Sequence, residues 1–382
     1  MTAILKPAIL RWARSNAGLT ESELAEKLRV STNVIKNWET TGEIKIKFIQ
    51  KVADATRTAF GYLFLDEPPQ TDLPIADFRR TNSSQLTPTS NLLEAIYDAQ
   101  LKQAWYKDYL VANGAMPLGF VGSCTLDIPH KDTANDIRKA LGIGPRIAEV
   151  ARKWEDAIRC ATEAVEDNGI IVLRSGHIRG DTSRTLSVDE FRGFALVDDY
   201  APLIFINGAD APAAQLFTIA HELAHIWVGK TGVSNLDKTY STGGRVEIYC
   251  NTVAAEVLLP IEELKSSWKG GIGDISDVNR ISDKYKVSRI VVARRARDAG
   301  LMTEEQFDGI YRMISVKKSS GGNYYTNEAY QNSRLFSIAL VQETISGRIS
   351  EGDAMRYLGI KKADTFKNYA NSLKEGMEWH TY

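Results

Sequence analysis

Hydrophobic side chains recur at spacings of three and four residues along most of this chain, and this periodicity is typical of amphipathic helices. Residues 1–65 contain it as a series of short helices. The same spacing returns in four later segments, which are 90–116, 132–168, 274–298 and 333–373. The pattern therefore predicts a chain that is mostly helical.

Three short apolar runs interrupt the helical spacing and predict β-strands, because they are rich in β-branched and aromatic residues. These runs are GIIVLR at 169–174, GFAL at 193–196 and PLIFIN at 202–207. VDDYA lies between the last two runs and predicts a hairpin turn. After the third run, the spacing predicts a helix over 213–228 and another over 245–259, which ends at Pro260. The predicted fold class is α+β, mostly helical with a small β-sheet.

Composition marks two breaks along the chain. Residues 67–90 are rich in Pro, Asp, Ser and Thr and predict a linker, and KKSSGGNYY at 317–325 is a Gly/Ser break. A chain of 382 residues is long for one core, so several domains are expected. The predicted divisions are an N-terminal helical module at 1–66, the linker at 67–90, a central domain at 91–316 and a helical C-terminal region at 326–382.

The overall composition is that of a soluble globular protein, with 43% hydrophobic and 25% charged residues. The three cysteines are far apart and form no CxxC pair, which argues against a disulfide framework and favours a reducing cytoplasm. The sequence contains no apolar run of about 18 residues, so no membrane association is expected. A net charge of −1 does not mark the whole chain as a nucleic-acid binder, although a basic module can lie within it.

The sequence His221-Glu222-Leu223-Ala224-His225 lies on the predicted helix over 213–228. Residues four apart share one face of a helix, so the imidazoles of His221 and His225 can reach one cation. Glu222 is offset by one residue, which keeps it from ligating the cation while it can reach a water beside it. Two ligands and a general base at this spacing predict a zinc hydrolase site. A helix that holds two histidines without any metal is the alternative.

A catalytic zinc site needs a third protein ligand and an open position for water. The helix over 245–259 offers Glu247, with Asn251 one turn later as a residue that orients a ligand. Glu256 is out of phase with Glu247, so one straight helix cannot present both to the same ion. Glu247 is the preferred ligand, Glu256 is the fallback with a structural role favoured, and Cys250 is interpreted as a small core residue on another helical face.

The predicted chemistry is peptide hydrolysis. Zinc lowers the pKa of water toward 7 and polarises the scissile carbonyl, while Glu222 takes the proton and passes it to the leaving amine. Tyr240 is a candidate donor to the oxyanion, with simple packing as its alternative role. The strand PLIFIN precedes the metal helix, and an edge strand at that place would hold an extended peptide by backbone pairing.

LTESELAEKLRVSTNVIKNWETTG, near the N-terminus, has the spacing of a helix-turn-helix, with Thr20 as the N-cap of the first helix. The second helix would turn five polar side chains toward DNA bases and phosphates, which are Ser31, Thr32, Asn33, Lys36 and Asn37. Ten basic and six acidic residues up to Leu65 give this module a net charge of +4. An ordinary helical domain that contacts protein is the alternative. Specific operator binding usually needs two half-sites, which leaves a homodimer as an option.

Two segments carry a family resemblance. PLIFINGADAPAAQLFTIAHELAHIWVG followed by VEIYCNTVAAEVLLP resembles the ImmA/IrrE family of metallopeptidases, with Ala224 in place of the usual Gly, Cys250 in place of a usual Ala and Val253 in place of a usual Phe. Residues 1–65 resemble the Xre-type helix-turn-helix domains that are fused to some members. The resemblance implies a zincin-like domain and supports Glu247 as the third ligand.

The resemblance also implies a regulatory role, in which the peptidase cleaves a partner repressor or antitoxin-like regulator. Two other functions remain open from the sequence. One is a DNA-binding regulator whose zinc is structural or sensory, and the other is a toxin–antitoxin component that acts by protein contact. The presence of Glu222 favours catalysis, because a structural zinc site needs no general base.

Overall fold

A computed structural model describes residues 2–378 except for 57, 59, 69–87, 143–146, 148–150, 180, 235–243 and 316–331. The described residues fall into two compact units. The first comprises those of Met1–Pro74 and Asn82–Tyr97, and the second comprises those of Ile75–Thr81 and Asp98–Tyr382.

Within its described residues up to 68, the first unit contains four α-helices, a short 3-10 helix and a pair of three-residue strands. Its elements are β1 (Thr2–Ile4), α1 (Pro7–Asn16), α2 (Glu21–Leu28), α3 (Thr32–Thr41), β2 (Glu43–Lys45), α4 (Ile46–Thr56) and the 3-10 helix Phe60–Phe64. Strands β1 and β2 pair antiparallel. Gly42 ends α3 with a φ of 76°, and a Cβ there would collide with the carbonyl oxygen of Leu5, so only glycine fits at this turn.

Helices α2 and α3 form the predicted helix-turn-helix. Thr20 caps α2 in a reciprocal capping box with Glu23, as Thr and Glu at this spacing do. Ile35 and Trp38 point inward from α3 into a shared core. Glu39, also on α3, is buried and accepts two hydrogen bonds from Arg14 on α1, at 2.6 and 2.9 Å. This bidentate pair fixes α3 against α1.

The second unit is built around a four-stranded mixed sheet. Its strands are β3 (Ile171–Ser175), β6 (Gly193–Leu196), β7 (Leu203–Asn207) and β8 (Gly232–Ser234), in the order β3-β7-β6-β8. A two-stranded ribbon, β4 (His177–Ile178) with β5 (Asp181–Thr185), lies between β3 and β6 in the sequence. Strand β7 pairs parallel with β3 and antiparallel with β6. The prediction that PLIFIN is an edge strand is therefore wrong, because β7 has a neighbour on each side. Among the strands that the structure describes, β3 and β8 are the outer ones of this sheet.

Helices surround this sheet and bury one large core. They are α6 (His130–Leu141), α7 (Trp154–Asp167), α8 (Pro212–Val228), α9 (Arg245–Leu258), α10 (Ile261–Ser267), α11 (Ile275–Tyr285), α12 (Arg289–Asp298) and α13 (Glu304–Ser315). Helix α5 (Ser90–Ala112) precedes them; its residues up to Tyr97 belong to the first unit and the rest to the second. The core draws its buried side chains from α6, α7, α8, α9 and the helices that follow. Every residue of α8 from Gln215 onward is buried, which makes α8 the central helix of this unit.

Three further helices close the described chain, namely α14 (Arg334–Ile345), α15 (Glu351–Leu358) and α16 (Ala363–Glu378). They pack on the later part of α5, where Trp105 contacts the rings of Phe336 and Tyr357 at centroid distances of 5.5 and 5.8 Å. The buried amine of Lys102 donates to Asn332 at 2.9 Å. Aromatic packing and a buried hydrogen bond therefore tie the C-terminal helices to this unit.

The predicted α+β, mostly helical fold class is confirmed, with small sheets beside a helical majority. The predicted linker at 67–90 and the break at 317–325 lie mostly or wholly outside the described residues, so the predicted domain limits stay predictions. None of the described helices is both long and apolar enough to span a membrane.

Candidate metal centre

Helix α8 holds the two histidines rigidly. Pro212 occupies its first turn, where the missing N–H costs nothing, and Gly229 ends it in the left-handed conformation. His221 and His225 are both fully buried and stand one turn apart, with their Nε2 atoms 3.1 Å from each other. A turn of a buried helix thus presents two imidazole nitrogens at one point.

Helix α9 packs against α8 and brings Glu247 to the same point. Its carboxylate oxygens lie 3.3 Å from His221 Nε2 and 3.1 Å from His225 Nε2. Ligands about 2.0 Å from a tetrahedral zinc stand about 3.3 Å from one another, and the three donor atoms here all fall within 4.8 Å of each other. Two imidazoles and one carboxylate are a donor set that zinc prefers, so the residues present fit this ion.

The electrostatics of the three residues favour positive charge at their centre. Burial would raise the pKa of Glu247, but hydrogen bonds from His221 and His225 outweigh it and hold the pKa well below its usual range. Burial opposes protonation of His225, yet contacts with Cys250 and Glu247 raise its pKa well above the ordinary value. A proton held there occupies the place that a cation would take.

The orientation of the His225 ring is set from two sides. Its Nδ1 lies 3.1 Å from the carbonyl oxygen of Lys230, just past the end of α8. A Cβ added to Gly232 on β8 would lie 3.0 Å from His225 Cε1, so the strand backbone runs directly against the ring. A backbone carbonyl on the far nitrogen fixes the tautomer in which Nε2 can ligate a metal.

The predicted general base, Glu222, is completely buried on α8 between the two histidines. Strand β6 passes close beside it, since a Cβ on Gly193 would lie 3.2 Å from Glu222 Oε1 and 2.4 Å from Thr218 Cγ2. Only glycine leaves this space for the carboxylate. Glu222 therefore lies beside the candidate ligands without being one of the three clustered donors, which suits the role predicted for it.

Glu256, the other acidic residue of α9, joins neighbouring helices to each other. Glu256 is buried and forms an ion pair with Arg295 on α12, and it also accepts a hydrogen bond from the Ile261 N–H. Its carboxylate therefore links α9 to α12 and the start of α10. This agrees with the preference for Glu247 over Glu256.

Of the two residues predicted to assist the ligands and the substrate, the structure describes Asn251 but not Tyr240. Asn251 lies one turn beyond Glu247 with 8% of its surface exposed, and within the described part of the chain its Oδ1 has no hydrogen-bond partner. Its predicted role in orienting a ligand remains a prediction. Tyr240 falls outside the described residues.

Cys250 is fully buried and belongs to the apolar core, as expected for a small core residue. Burial raises the pKa of its thiol. A residue three positions after Glu247 lies only about 60° from it around the helix, so the two are nearer to each other than the expectation of separate helical faces implied.

The five predicted DNA-contacting residues lie at one surface of the first unit. Ser31, Asn33, Lys36 and Asn37 are exposed and Thr32 is half-buried. The Lys36 amine makes a long, solvent-exposed contact to Glu21 at 3.7 Å. Helix α3 thus offers hydroxyl, amide and amine groups outward while Trp38 and Ile35 hold its other face in the core.

Comparison with protein families gives a match over each of these two regions of the chain. The family of IrrE N-terminal-like domains matches residues 181–297, which contain α8, α9 and all three clustered donors. A helix-turn-helix family matches residues 10–63, which contain α2 and α3. The chain joins an IrrE N-terminal-like domain to a helix-turn-helix domain.

The fusion predicted from the residues is thereby confirmed, and the IrrE N-terminal-like domain is metallopeptidase-like. A family of domains of unknown function matches residues 332–372, which contain α14 and α15 and most of α16. No curated protein matches the chain.

Proposed function

We propose that this protein is a zinc-dependent endopeptidase with a regulatory role, which cleaves a partner repressor or antitoxin-like regulator and binds DNA through its N-terminal module. One observation carries the proposal: two buried histidines and the half-buried Glu247 hold their donor atoms 3.1–3.3 Å apart, and the helix of the two histidines also carries the buried Glu222. A structural zinc site has no need of that fourth residue.

His221, His225 and Glu247 would hold the ion, and zinc bound there would supply Lewis acidity and a water that ionises near neutral pH. Glu222 takes the proton from the attacking water and later gives it to the leaving amine, so the peptide C–N bond breaks as a C–O bond forms. The buried position of Glu222 strengthens these electrostatic interactions because the surroundings are less polar than water.

Strand β8 is the element we assign to substrate binding in place of PLIFIN. Among the described residues it pairs only with β6, and its Gly232 touches the ring of His225. An extended peptide that adds to this edge by backbone hydrogen bonds would run past the cluster. The absence of a side chain at Gly232 keeps that approach open.

The match to a helix-turn-helix family supports an activity that is exerted near DNA, and on that ground we propose a cytoplasmic protein. The +4 charge of residues up to Leu65 suits the phosphate backbone. A homodimer that reads two half-sites is part of this proposal, since single helix-turn-helix units bind specific sites weakly.

The test is co-expression of the full chain with the products of its neighbouring genes, comparing the native chain with Glu222→Gln. The amide cannot accept the proton, so cleavage of the cognate regulator should fall at least about 100-fold, while zinc content measured by metal analysis stays near one per chain. Glu262→Gln, on the exposed first turn of α10, is the matched control and should cleave normally.

Undiminished cleavage by Glu222→Gln would remove Glu222 as the base. Metal binding with no shortened partner in any combination would favour the alternative function, in which a DNA-binding regulator uses its zinc as a structural or sensory ion.

A further inference from the structure

The C-terminal helices repeat the arrangement of the helix-turn-helix in the first unit. Helices α2 and α15 each contain eight residues. Each follows a hydroxyl residue, Thr20 or Ser350, whose side chain accepts a hydrogen bond from the N–H three positions later, at 3.2 and 3.0 Å. Each then ends at a left-handed residue, which is Arg29 with a φ of 55° or Gly359 with a φ of 71°. The first helices of the two pairs therefore begin and end in the same way.

The buried positions and the turns of the two pairs correspond as well. The side chains four and eight positions after the capping residue are buried in both first helices, namely Leu24 and Leu28 in α2 and Ala354 and Leu358 in α15. A spacing of four places these side chains on one face, so each first helix packs inward by the same face. The turn after α15 comprises 359–362 and the turn after α2 comprises 29–31, so the C-terminal turn is one residue longer.

The second helix of each pair carries the same short sequence pattern. VIKNW at 34–38 in α3 corresponds to TFKNY at 365–369 in α16. The second residue of each segment, Ile35 or Phe366, is buried, and the Lys and Asn that follow it are exposed in both helices. Positions one and two residues further along a helix lie about 100° and 200° around it. The Lys-Asn pair of α16 therefore faces outward as the pair of α3 does.

A polar contact holds each second helix against the helix that precedes the pair. The Tyr369 hydroxyl donates to Ser337 Oγ on α14 at 2.9 Å. The bidentate pair of Arg14 and Glu39 joins α1 to α3 in the first unit. The outward side chains of α16 are therefore presented by a helix that is fixed in its own three-helix group.

Three lysines give this outward surface the charge that DNA requires. Lys361 and Lys362 in the turn and Lys367 on α16 are all exposed, and none of them forms an ion pair within the described part of the chain. Amines without a carboxylate partner suit the phosphates of a duplex. Asp364 stands where α3 has Asn33, and a carboxylate at that position can accept a hydrogen bond from the amino group of a cytosine.

We propose that α15 and α16 form a second helix-turn-helix that binds duplex DNA, with Lys361, Lys362 and Lys367 at its phosphates. The proposal rests on the DNA-binding part of the proposed function, because α2 and α3 are its template. It adds a second place on the chain that contacts DNA. The exposed Asn368 then lies beside the phosphate-binding lysines, where an amide can reach a base edge.

Fluorescence polarisation of a labelled duplex of mixed sequence, titrated with the full-length chain at several salt concentrations, tests the proposal. The triple variant replaces Lys361, Lys362 and Lys367 by Ala. Its Kd for the duplex should rise by about tenfold or more, and the slope of log Kd against log salt concentration should fall by about three, one for each amine. The matched control replaces three exposed lysines of α6 and α10 by Ala, namely Lys131, Lys139 and Lys265, and should bind like the native chain.

The same triple substitution in a chain that already carries Lys36→Ala and Asn37→Ala separates the two pairs. The binding that remains in this chain should fall further when the three C-terminal lysines are removed. Equal Kd values and equal slopes with and without the C-terminal lysines, in both chains, would overturn the second site. Equal Kd values for the native chain and the Lys36→Ala, Asn37→Ala chain would instead count against DNA binding by α3 in the proposed function.

Hydrogen exchange on the native full-length chain gives a second measurement that needs no substitution. Amides of 359–373 should exchange more slowly when the duplex is added, whereas those of α6 should not change. Added protection of α3 without any added protection of 359–373 would overturn the proposal and would make the C-terminal pair a surface for contact with protein.

Discussion

Two glycines shape the candidate metal centre as much as the ligands do. Gly193 leaves the space that the Glu222 carboxylate occupies, and Gly232 lets β8 lie against the ring of His225. Neither glycine is needed for a left-handed turn, since both lie in strands. Their function is to allow a close approach of backbone to side chain.

Gly232→Ala should therefore weaken metal binding. The added methyl would lie 3.0 Å from His225 Cε1 and 3.3 Å from Nδ1, so the ring must tilt away from the other ligands. We expect the zinc Kd to rise by about tenfold, as for other changes that misorient a metal-bound histidine. Competition with a chromophoric chelator measures this. Gly119→Ala is the control because a Cβ there meets nothing within 4 Å; equal Kd values for both variants would contradict the explanation.

At the scale of elements, the second unit contains a helix pair built like the DNA-binding pair. Arg29 after α2 and Lys286 after α11 both take a left-handed conformation, and each is followed by Val-Ser and a new helix. The two pairs differ in what they expose: Lys36 on α3 is exposed, whereas Ala293, at the matching position of α12, is fully buried. We therefore assign DNA contact to α3 and interpret α11 and α12 as scaffold.

Lys36→Ala combined with Asn37→Ala should weaken operator binding and leave zinc content unchanged. Both side chains are exposed on α3, so their loss leaves the core and the Arg14–Glu39 salt bridge intact. Each substitution removes one contact to a phosphate or a base, so the Kd for the operator should rise by about tenfold or more. The loss of the Lys36 charge should also lower the slope of log Kd against log salt concentration by about one. A gel-shift titration at two salt concentrations measures both effects. Lys6→Ala is the control; an unchanged operator affinity in the double variant would mean that α3 is not the recognition helix.

Elements with strong local signals were predictable from the sequence. The helix over α8 follows from its apolar spacing and its Pro and Gly ends, and the HExxH spacing alone places two imidazoles one turn apart. Strand order was not predictable, because the parallel pairing of β3 with β7 joins segments about 30 residues apart and moved PLIFIN from the edge to the interior. The approach of Glu247 to His221 and His225 depends on how α8 and α9 cross, which the sequence of either helix does not contain.

At the scale of the whole molecule, a buried acid lies where the C-terminal helices meet the rest of the second unit. Interactions with Ser333 and with the backbone of Arg334, at the start of α14, and of Val172 act to lower the pKa of the Glu166 carboxyl on α7. Burial nevertheless dominates and raises its pKa to about 7. The other ionisable groups that face it are the Arg334 side chain, Tyr106 on α5 and Tyr369 on α16.

The stability of this unit should therefore fall as the pH rises from about 4.5 to about 7. Between these pH values Glu166 is ionised in the unfolded chain but stays protonated in the folded chain. The free energy of unfolding therefore falls as the pH rises, by about 3 kcal/mol over the whole range. Thermal melting of the native chain and Glu166→Gln at pH 5 and pH 7.5 measures the effect. The glutamine stays neutral, so the native chain should lose more in Tm between the two pH values; parallel shifts would show that Glu166 does not titrate in this range.

The two ligand-bearing helices share one apolar interior, and the Glu256–Arg295 pair joins α9 to α12. We therefore expect chelation to leave these helices folded, unlike a zinc finger, which unfolds when its zinc is removed. On this expectation, synthesis of the protein and supply of the ion are separate events, and a chain folded before the ion arrives becomes competent when it binds.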